Sequence, residues 1–200
     1  MPNADFFARL GLFVRRNFFD ARLCAELQSE LRSAGRIAAA VRDQGRTYVD
    51  RHERSGQLAE VSAPTAEMVK LRLLDLKPEL EQHFHLSLAG CRPPQFLAYG
   101  PGDFFGVHRD TGQPGATPKP NERQVSAVIF LTAESPEPQE GLYGGGNLTF
   151  FGLLDDARAQ SAGLPLVGQE GLLIAFRSGT LHGVTPVTHG ERYTIVSWYS

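Results

Sequence analysis

Apolar residues recur at helical spacing in the first part of the chain and at strand spacing in the rest. Leu23, Leu27 and Leu31 fall four apart on one stripe, with Asp20 placed to cap the first turn and Ala34-Gly35 to end the run. That pattern predicts a packing helix from Asp20 to about Arg32. From Ile37 to Val49 apolar and polar residues alternate, broken at Gln44-Gly45, which predicts one or two strands. From Pro64 to about Phe84 the spacing of Met68, Leu71, Leu74 and Leu80 predicts a helix that Pro78 splits or kinks. These helices are expected to buttress one outer face of a sheet.

From Gln95 onward the texture changes to short β-rich segments. They cover Gln95 to Tyr99, Val107 to Asp110, Val125 to Thr132, Asn147 to Phe151, Gly171 to Phe176, Leu181 to Val184 and Arg192 to Tyr199. Short strands separated by glycine and proline predict a mainly β fold with flanking helices: a double-stranded β-helix, or jelly roll, rather than a parallel sheet. Residues 1–90 are read as an extension packing on a core of residues 91–200, within a single structural domain. Two connections are long, Thr111 to Arg123, which includes Pro114, Gly115, Pro118 and Pro120, and Ala133 to Gly146. The first follows directly on a candidate site strand and reads either as a surface loop or as a lid.

Composition narrows the classes. Twenty basic and 22 acidic side chains leave a net charge of −2, so no general electrostatic attraction to nucleic acid or membrane is expected. Arg42, Arg46, Arg51 and Arg54 form either a solvated charged face or the rim of a substrate entrance. Cys24 and Cys91 are the two cysteines and imply no disulfide framework, which fits a reducing cytoplasm. Arg9, Arg15 and Arg16 interrupt the apolar residues near the N-terminus, so neither a membrane span nor a signal core is predicted.

The candidate chemistry lies at His108, Asp110 and His182, with Arg192 ten residues further on. Two imidazoles and one carboxylate on one face of a ferrous ion leave the opposite face open to a chelating molecule and dioxygen. Side chains at i and i+2 share a face only in extended backbone, whereas a helix would turn them about 200° apart. His108 and Asp110 therefore call for a strand, and the distant His182 calls for a fold whose strands face one interior. Six histidines and nine aspartates in 200 residues make a chance His-x-Asp expected about 0.3 times per chain. The surroundings are what raise the signal.

Those surroundings are Tyr99-x-x-Gly102-x-x-Phe105-x-x-His108-x-Asp110, then Gly145-Gly146-x-Leu148-x-Phe150, then His182-x-Val184-x-Pro186-Val187-x-x-Gly190-x-Arg192. In that order they resemble the catalytic domain of the prolyl 4-hydroxylase-like branch of the Fe(II)/2-oxoglutarate-dependent dioxygenases, over Gln95 to Ser200. The resemblance implies His108, Asp110 and His182 as metal ligands and catalytic residues. It implies Arg192 as the clamp on the distal carboxylate of 2-oxoglutarate, with Tyr99 and Thr149 as further co-substrate contacts. Fe(II), 2-oxoglutarate and dioxygen, with ascorbate as an auxiliary, are the implied cofactors. The implied reaction hydroxylates an unactivated C–H bond while 2-oxoglutarate becomes succinate and carbon dioxide.

By the same resemblance the expected substrate is a prolyl or other side chain of a protein or peptide, ahead of a free amino acid or small metabolite. A nucleic-acid substrate is disfavoured because repair dioxygenases carry a second arginine six residues after the first, where this chain has Trp198. Halogenation is disfavoured because Asp110 keeps the carboxylate that halogenating relatives lack. From another class comes a non-catalytic jelly-roll module that keeps the metal residues as structural ligands, and an iron oxygenase that uses no keto acid is a third reading. Phe105 stands where many relatives carry tyrosine, and Asn147 where an acidic residue is common. Trp198, Phe130, Phe150 and Phe176 read as barrel packing. His52, His83, His85 and His189 read as solvated, Gly141 to Gly146 as a turn without phosphate-loop chemistry, and Asp155-Asp156 as a loop.

Overall fold

The structure is a computed structural model and describes residues 4–39, 41–43, 46–48, 50, 52–111, 122–153 and 162–200. The chain opens with α1 (Ala4–Arg9), β1 (Leu12–Arg15) and α2 (Ala21–Ser33). The short strands β2 (Arg36–Ala38), β3 (Val41–Asp43), β4 (Arg46–Tyr48) and β5 (Gln57–Ala59) lead to the long helix α3 (Ala63–Phe84). Ten strands complete it: β6 (Gln95–Tyr99), β7 (Phe105–His108), β8 (Val125–Phe130), β9 (Gly144–Gly145), β10 (Leu148–Phe151), β11 (Leu164–Leu166), β12 (Leu173–Arg177), β13 (Leu181–Val184), β14 (Val187–His189) and β15 (Arg192–Tyr199).

Local chemistry sets the helix ends. The Asp20 carboxylate accepts from the Leu23 amide at 2.8 Å, so α2 starts where its cap predicts. Ser62 caps α3, and Glu30 of α2 accepts from both the Ser62 amide (2.6 Å) and the Thr65 hydroxyl (2.7 Å), tying the two helices together. Helix α3 runs unbroken through Pro78, contrary to the expected split. A proline inside a helix costs about 3 kcal/mol. Val69, Leu73, Leu76, Leu80 and Phe84 on the buried stripe, each contributing about 1.5–3 kcal/mol, outweigh it.

Eleven of the described strands form two facing antiparallel sheets, and β3 with β4 and β9 with β14 make two-stranded pairs. The larger has seven strands in the order β1-β12-β8-β15-β6-β5-β2, and the smaller has four, β11-β10-β13-β7. Side-chain alternation splits the larger sheet. Ile129, Leu173, Ala175, Ile195 and Tyr199 pack outward against α2 and α3. Val128, Phe130, Ile174 and Phe176 point inward to meet Leu148 and Phe150 of the smaller sheet. This is the jelly roll, with the helices on one outer face.

Three details differ from the sequence reading. Residues 12–15, 36–38 and 57–59 supply β1, β2 and β5 to the larger sheet, so the N-terminal part shares the sheet as well as packing on it. Strand β7 begins at Phe105 and ends at His108, leaving Asp110 just beyond it in a bend. Residues 187–189, for which no strand was expected, form one paired with β9, and β15 belongs to the opposite sheet from the His182 strand. Apart from Thr111, Glu122 and Arg123, the expected lid lies outside the described residues, as do Arg51 and Asp155-Asp156.

Candidate metal and co-substrate site

Strands β7 and β13 pair so that His108 stands opposite His182, with ring centres 4.3 Å apart. Asp110 joins them from past the end of β7, because its amide donates to the Ser178 carbonyl (2.9 Å) in the turn that leads into β13. His108 Nε2 lies 3.7 Å from Asp110 Oδ1, and His182 Nε2 lies 3.7 Å from Asp110 Oδ2. One atom from each of the three sits within 4.8 Å of the others, close enough for one cation to be held by all.

Each imidazole is locked in one tautomer. His108 Nδ1 faces the Gly106 carbonyl at 2.9 Å and His182 Nδ1 faces the Thr180 carbonyl at 2.9 Å. A carbonyl only accepts, so Nδ1 carries the hydrogen and the Nε2 lone pair is left facing the carboxylate. Burial pushes His182 down to about 4, with His108 adding to the fall and Asp110 opposing it, so it is neutral at physiological pH. Burial alone would raise the Asp110 carboxyl. The contacts with His108 and His182 and the Ser126 hydroxyl outweigh it and hold the group well below the usual carboxylate range. Ser126 Oγ donates to Asp110 Oδ2 at 2.7 Å and is itself linked to Ser178 Oγ at 2.8 Å. The set is thus one carboxylate and two imidazole nitrogens, which suits a divalent cation of borderline softness.

Apolar rings enclose the triad. Phe105 stacks on His108 at 3.7 Å and 20°, and Phe176 meets His182 edge-on at 4.6 Å. The Arg54 guanidinium carbon lies 4.6 Å from the Phe105 ring centre, and its Nε donates to Tyr99 Oη at 3.3 Å. Of the arginines expected at a substrate entrance, Arg54 is therefore buried beside the site. On another side Arg123 lies over the Trp198 ring at 3.7 Å, with Nη1 3.6 Å from Asp110 Oδ1. Trp198 thus borders the site, whereas Phe150 and Phe176 pack the interior as expected.

Arg192 is 2% exposed and points into the same interior from the first residue of β15. Its Cζ lies 5.6 Å from the Tyr99 ring centre and 5.0 Å from that of Phe130, and Nη1 donates to Thr194 Oγ1 at 3.2 Å. The neighbouring Glu191 pairs with Arg36 at 2.7 Å instead. Among the described residues Arg192 has no ion pair, and its Nε has no acceptor. A buried cation in aromatic walls with an unused donor fits an anionic ligand. Gly146 explains how the side chain gets there: a Cβ on it would come within 2.9 Å of both Arg192 Cδ and Val187 Cγ2. The second of the paired glycines leaves the passage that the arginine stem occupies.

The structure thus brings together His108, Asp110, His182, Arg192 and Tyr99. It does not bring in Thr149. Leu148 and Phe150 of β10 face the interior, so alternation turns Thr149 outward, where its hydroxyl donates to the Asn147 carbonyl at 3.3 Å and its methyl abuts Gly163. The hydroxyl beside the guanidinium belongs to Thr194, two residues after Arg192 on the same strand face. That i, i+2 spacing is the sequence signal that would have found it. His83 is half-buried between Phe13 and Phe84 rather than solvated, and burial lowers it.

Among known proteins, residues 94–200 match the family model described as the 2OG-Fe(II) oxygenase superfamily. A PKHD-type hydroxylase of Hyphomonas neptunium is 31% identical over 173 residues, covering 81% of this chain and 70% of that protein. Another, from Saccharophagus degradans, is 35% identical over 108 residues, covering 53% and 42%. In fold, the chain is similar to a prolyl-4-hydroxylase of Pseudomonas putida, with a TM-score of 0.68 at 23% identity over 98% and 95% of the two chains. It is also similar to a Trichoplax adhaerens prolyl hydroxylase solved with a peptide fragment of the hypoxia inducible factor oxygen degradation domain, with a TM-score of 0.67 at 17% identity over 98% and 88%. With the triad and the buried arginine in one interior, the chain belongs to the 2OG-Fe(II) oxygenase superfamily, as an oxygenase that takes Fe(II), 2-oxoglutarate and dioxygen.

Proposed function

We propose that the protein hydroxylates a side chain of a protein or peptide, a prolyl side chain first, with His108, Asp110 and His182 holding Fe(II) and with Arg192 and Tyr99 holding 2-oxoglutarate. The observation that carries this is the convergence, from opposite sheets on one interior, of the triad and the buried Arg192 guanidinium, whose Nε has no acceptor among the described residues. Iron with its co-substrate supplies the oxidation: one atom of dioxygen goes to succinate and the other to the new hydroxyl, while 2-oxoglutarate loses carbon dioxide.

The chain's own residues bind, orient and exclude water. The Gly106 and Thr180 carbonyls fix both imidazoles with Nε2 turned inward, and Ser126 fixes one oxygen of Asp110. Arg192 offsets the cost of taking a carboxylate from water into the interior through charge-assisted hydrogen bonds. Phe105, Phe150 and Phe176 keep the surroundings apolar. A peptide substrate is supported by the hydroxylase relatives, and Arg123 over the Trp198 ring sets a cation beside Asp110 at the border of the site. The same reading treats residues 1–90 as an extension on a core of residues 91–200, with ascorbate as an accessory reductant and a cytoplasmic setting. No helix among the described residues is long and apolar enough to cross a membrane.

The test is anaerobic addition of Fe(II) and 2-oxoglutarate, then aerobic turnover with proline-containing peptides and with free amino acids. Chelation should give a visible charge-transfer band that Arg192→Ala loses, and a peptide should gain about 16 Da, one oxygen atom, with matching succinate. A colourless protein would support the non-catalytic module instead. Mass gain confined to free amino acids would replace the substrate, and oxygen uptake without succinate would remove the keto acid.

A further inference from the structure

The loop before β9 contributes one large polar side chain to the buried interior. Tyr143 is fully buried and its hydroxyl has no hydrogen-bond partner among the described residues. Its backbone is firmly placed: the amide donates to the Ala133 carbonyl (3.2 Å), and its own carbonyl accepts from the Ser135 amide (2.8 Å). A deeply buried hydroxyl normally finds a partner, because leaving it unmade costs about 1–3 kcal/mol. An orphan in a fixed position is an observation that asks for a ligand.

The surroundings of that hydroxyl say what kind. A Cβ on Gly146 would come within 2.9 Å of Arg192 Cδ and 3.4 Å of Tyr143 Cε2, so the arginine stem and the tyrosine ring flank the same glycine. A Cβ on Gly168 would overlap Tyr143 Oη and come within 2.9 Å of Phe130 Cδ1, and the Phe130 ring centre is 5.0 Å from the Arg192 guanidinium. Tyr143, Phe130 and Arg192 therefore make one wall. The guanidinium is near enough to act on the Tyr143 hydroxyl, yet no well-aligned bond joins the two, and both Tyr143 Oη and Arg192 Nε lack acceptors. Burial raises the tyrosine, with Glu134 adding to the rise and Arg192 opposing it, so the hydroxyl keeps its proton at neutral pH. Glu134, the acidic group that also faces Tyr143, has Oε2 bonded to Asn147 Nδ2 (2.8 Å) and to the Gly168 amide (3.2 Å). Two buried donors, one of them charged, with no acceptor between them match the two oxygens of a carboxylate.

We propose that Tyr143 is a co-substrate-binding residue whose hydroxyl joins Arg192 in holding the distal carboxylate of 2-oxoglutarate. The inference rests on the reading given under Proposed function and adds to it the residue that makes the clamp two-sided. It also gives the bare backbones of Gly146 and Gly168 one shared purpose: they leave room for the guanidinium stem and for the phenol.

The test compares wild type, Tyr143→Phe and Arg192→Ala by anaerobic titration of the Fe(II)-loaded protein. The ligands are 2-oxoglutarate and 2-oxobutyrate, which keeps the chelating keto acid and lacks the distal carboxylate. Tyr143→Phe should weaken 2-oxoglutarate about tenfold, or about 1.4 kcal/mol, leave 2-oxobutyrate unchanged, and melt without ligand at the same or a higher temperature because no bond is lost. A merely structural hydroxyl would lower the melting temperature and spare 2-oxoglutarate. Unchanged 2-oxoglutarate affinity in Tyr143→Phe, or an equal loss for both keto acids, overturns the inference while wild-type chelation keeps the parent reading. Absence of chelation in wild type overturns both.

Discussion

The two faces of β15 carry different burdens. On the outer face Tyr193, Ile195 and Tyr199 join the helix-backed core, and Tyr199 Oη reaches across to donate to the Leu73 carbonyl of α3 at 2.7 Å. On the inner face Arg192 donates to Thr194 while its Nε has no acceptor among the described residues, and Trp198 carries Arg123 next to Asp110. One strand eight residues long thus divides stability from chemistry by the pleat alone. Its inward positions include Arg192 Nε and Trp198 Nε1, which have no hydrogen-bond partner among the described residues, whereas outward Tyr199 is bonded within the chain.

Variants sharpen that division. On the inner side, His182→Ala should abolish Fe(II) binding, a loss beyond the roughly 10–100-fold typical of supporting partners, read by metal titration. Arg192→Ala should cost about 2–5 kcal/mol of 2-oxoglutarate affinity, the range for a buried charged contact, read by anaerobic titration of the Fe(II)-loaded protein. Behind the outer face the sign reverses. Leu80→Ala in α3 should lower unfolding free energy by about 2–5 kcal/mol in denaturant titration and leave co-substrate affinity intact. Ser126→Ala should weaken Fe(II) by about tenfold, the low end for a group that orients a ligand. Tyr199→Phe should cost about 1 kcal/mol of stability and nothing in binding. If Leu80→Ala shifted the 2-oxoglutarate titration as strongly as Arg192→Ala, the two faces would be coupled and the division lost.

Much of this was legible in the residues. The capping aspartate and leucine stripe of α2 gave that helix to within a residue, and β6, β13 and β15 fall where short β-rich segments set off by glycine and proline put them. His108, Asp110, His182 and Arg192 were legible through type and order. What escaped depends on register and on contacts distant in sequence. Thr149 looks suited to the pocket until Phe150 is seen to hold the inward position. Tyr143 sits in a stretch whose glycines read as a plain turn, and nothing local marks its ring as facing Arg192. Arg54 looks like one more surface arginine until the bridge between residues 54 and 105 sets it over Phe105. Pro78 was read by its local cost, whereas the length of buried stripe around it decides the outcome.

The stack of Arg54 on Phe105 on His108 bears on how the protein could be cut down. A fragment starting at residue 94, where the superfamily match begins, would retain every prospective ligand and both prospective carboxylate donors. It would lose Arg54, and with it the donor to Tyr99 Oη. It would also lose the Gly56 backbone, which lies so close that a Cβ there would fall 2.5 Å from Tyr99 Cζ. With β5 gone, β6 would become a bare sheet edge, open to pairing with a second molecule. Trimming for crystallisation or screening therefore has to stop ahead of β2, since the ceiling over the metal pocket is built from the half of the polypeptide that lacks the signature.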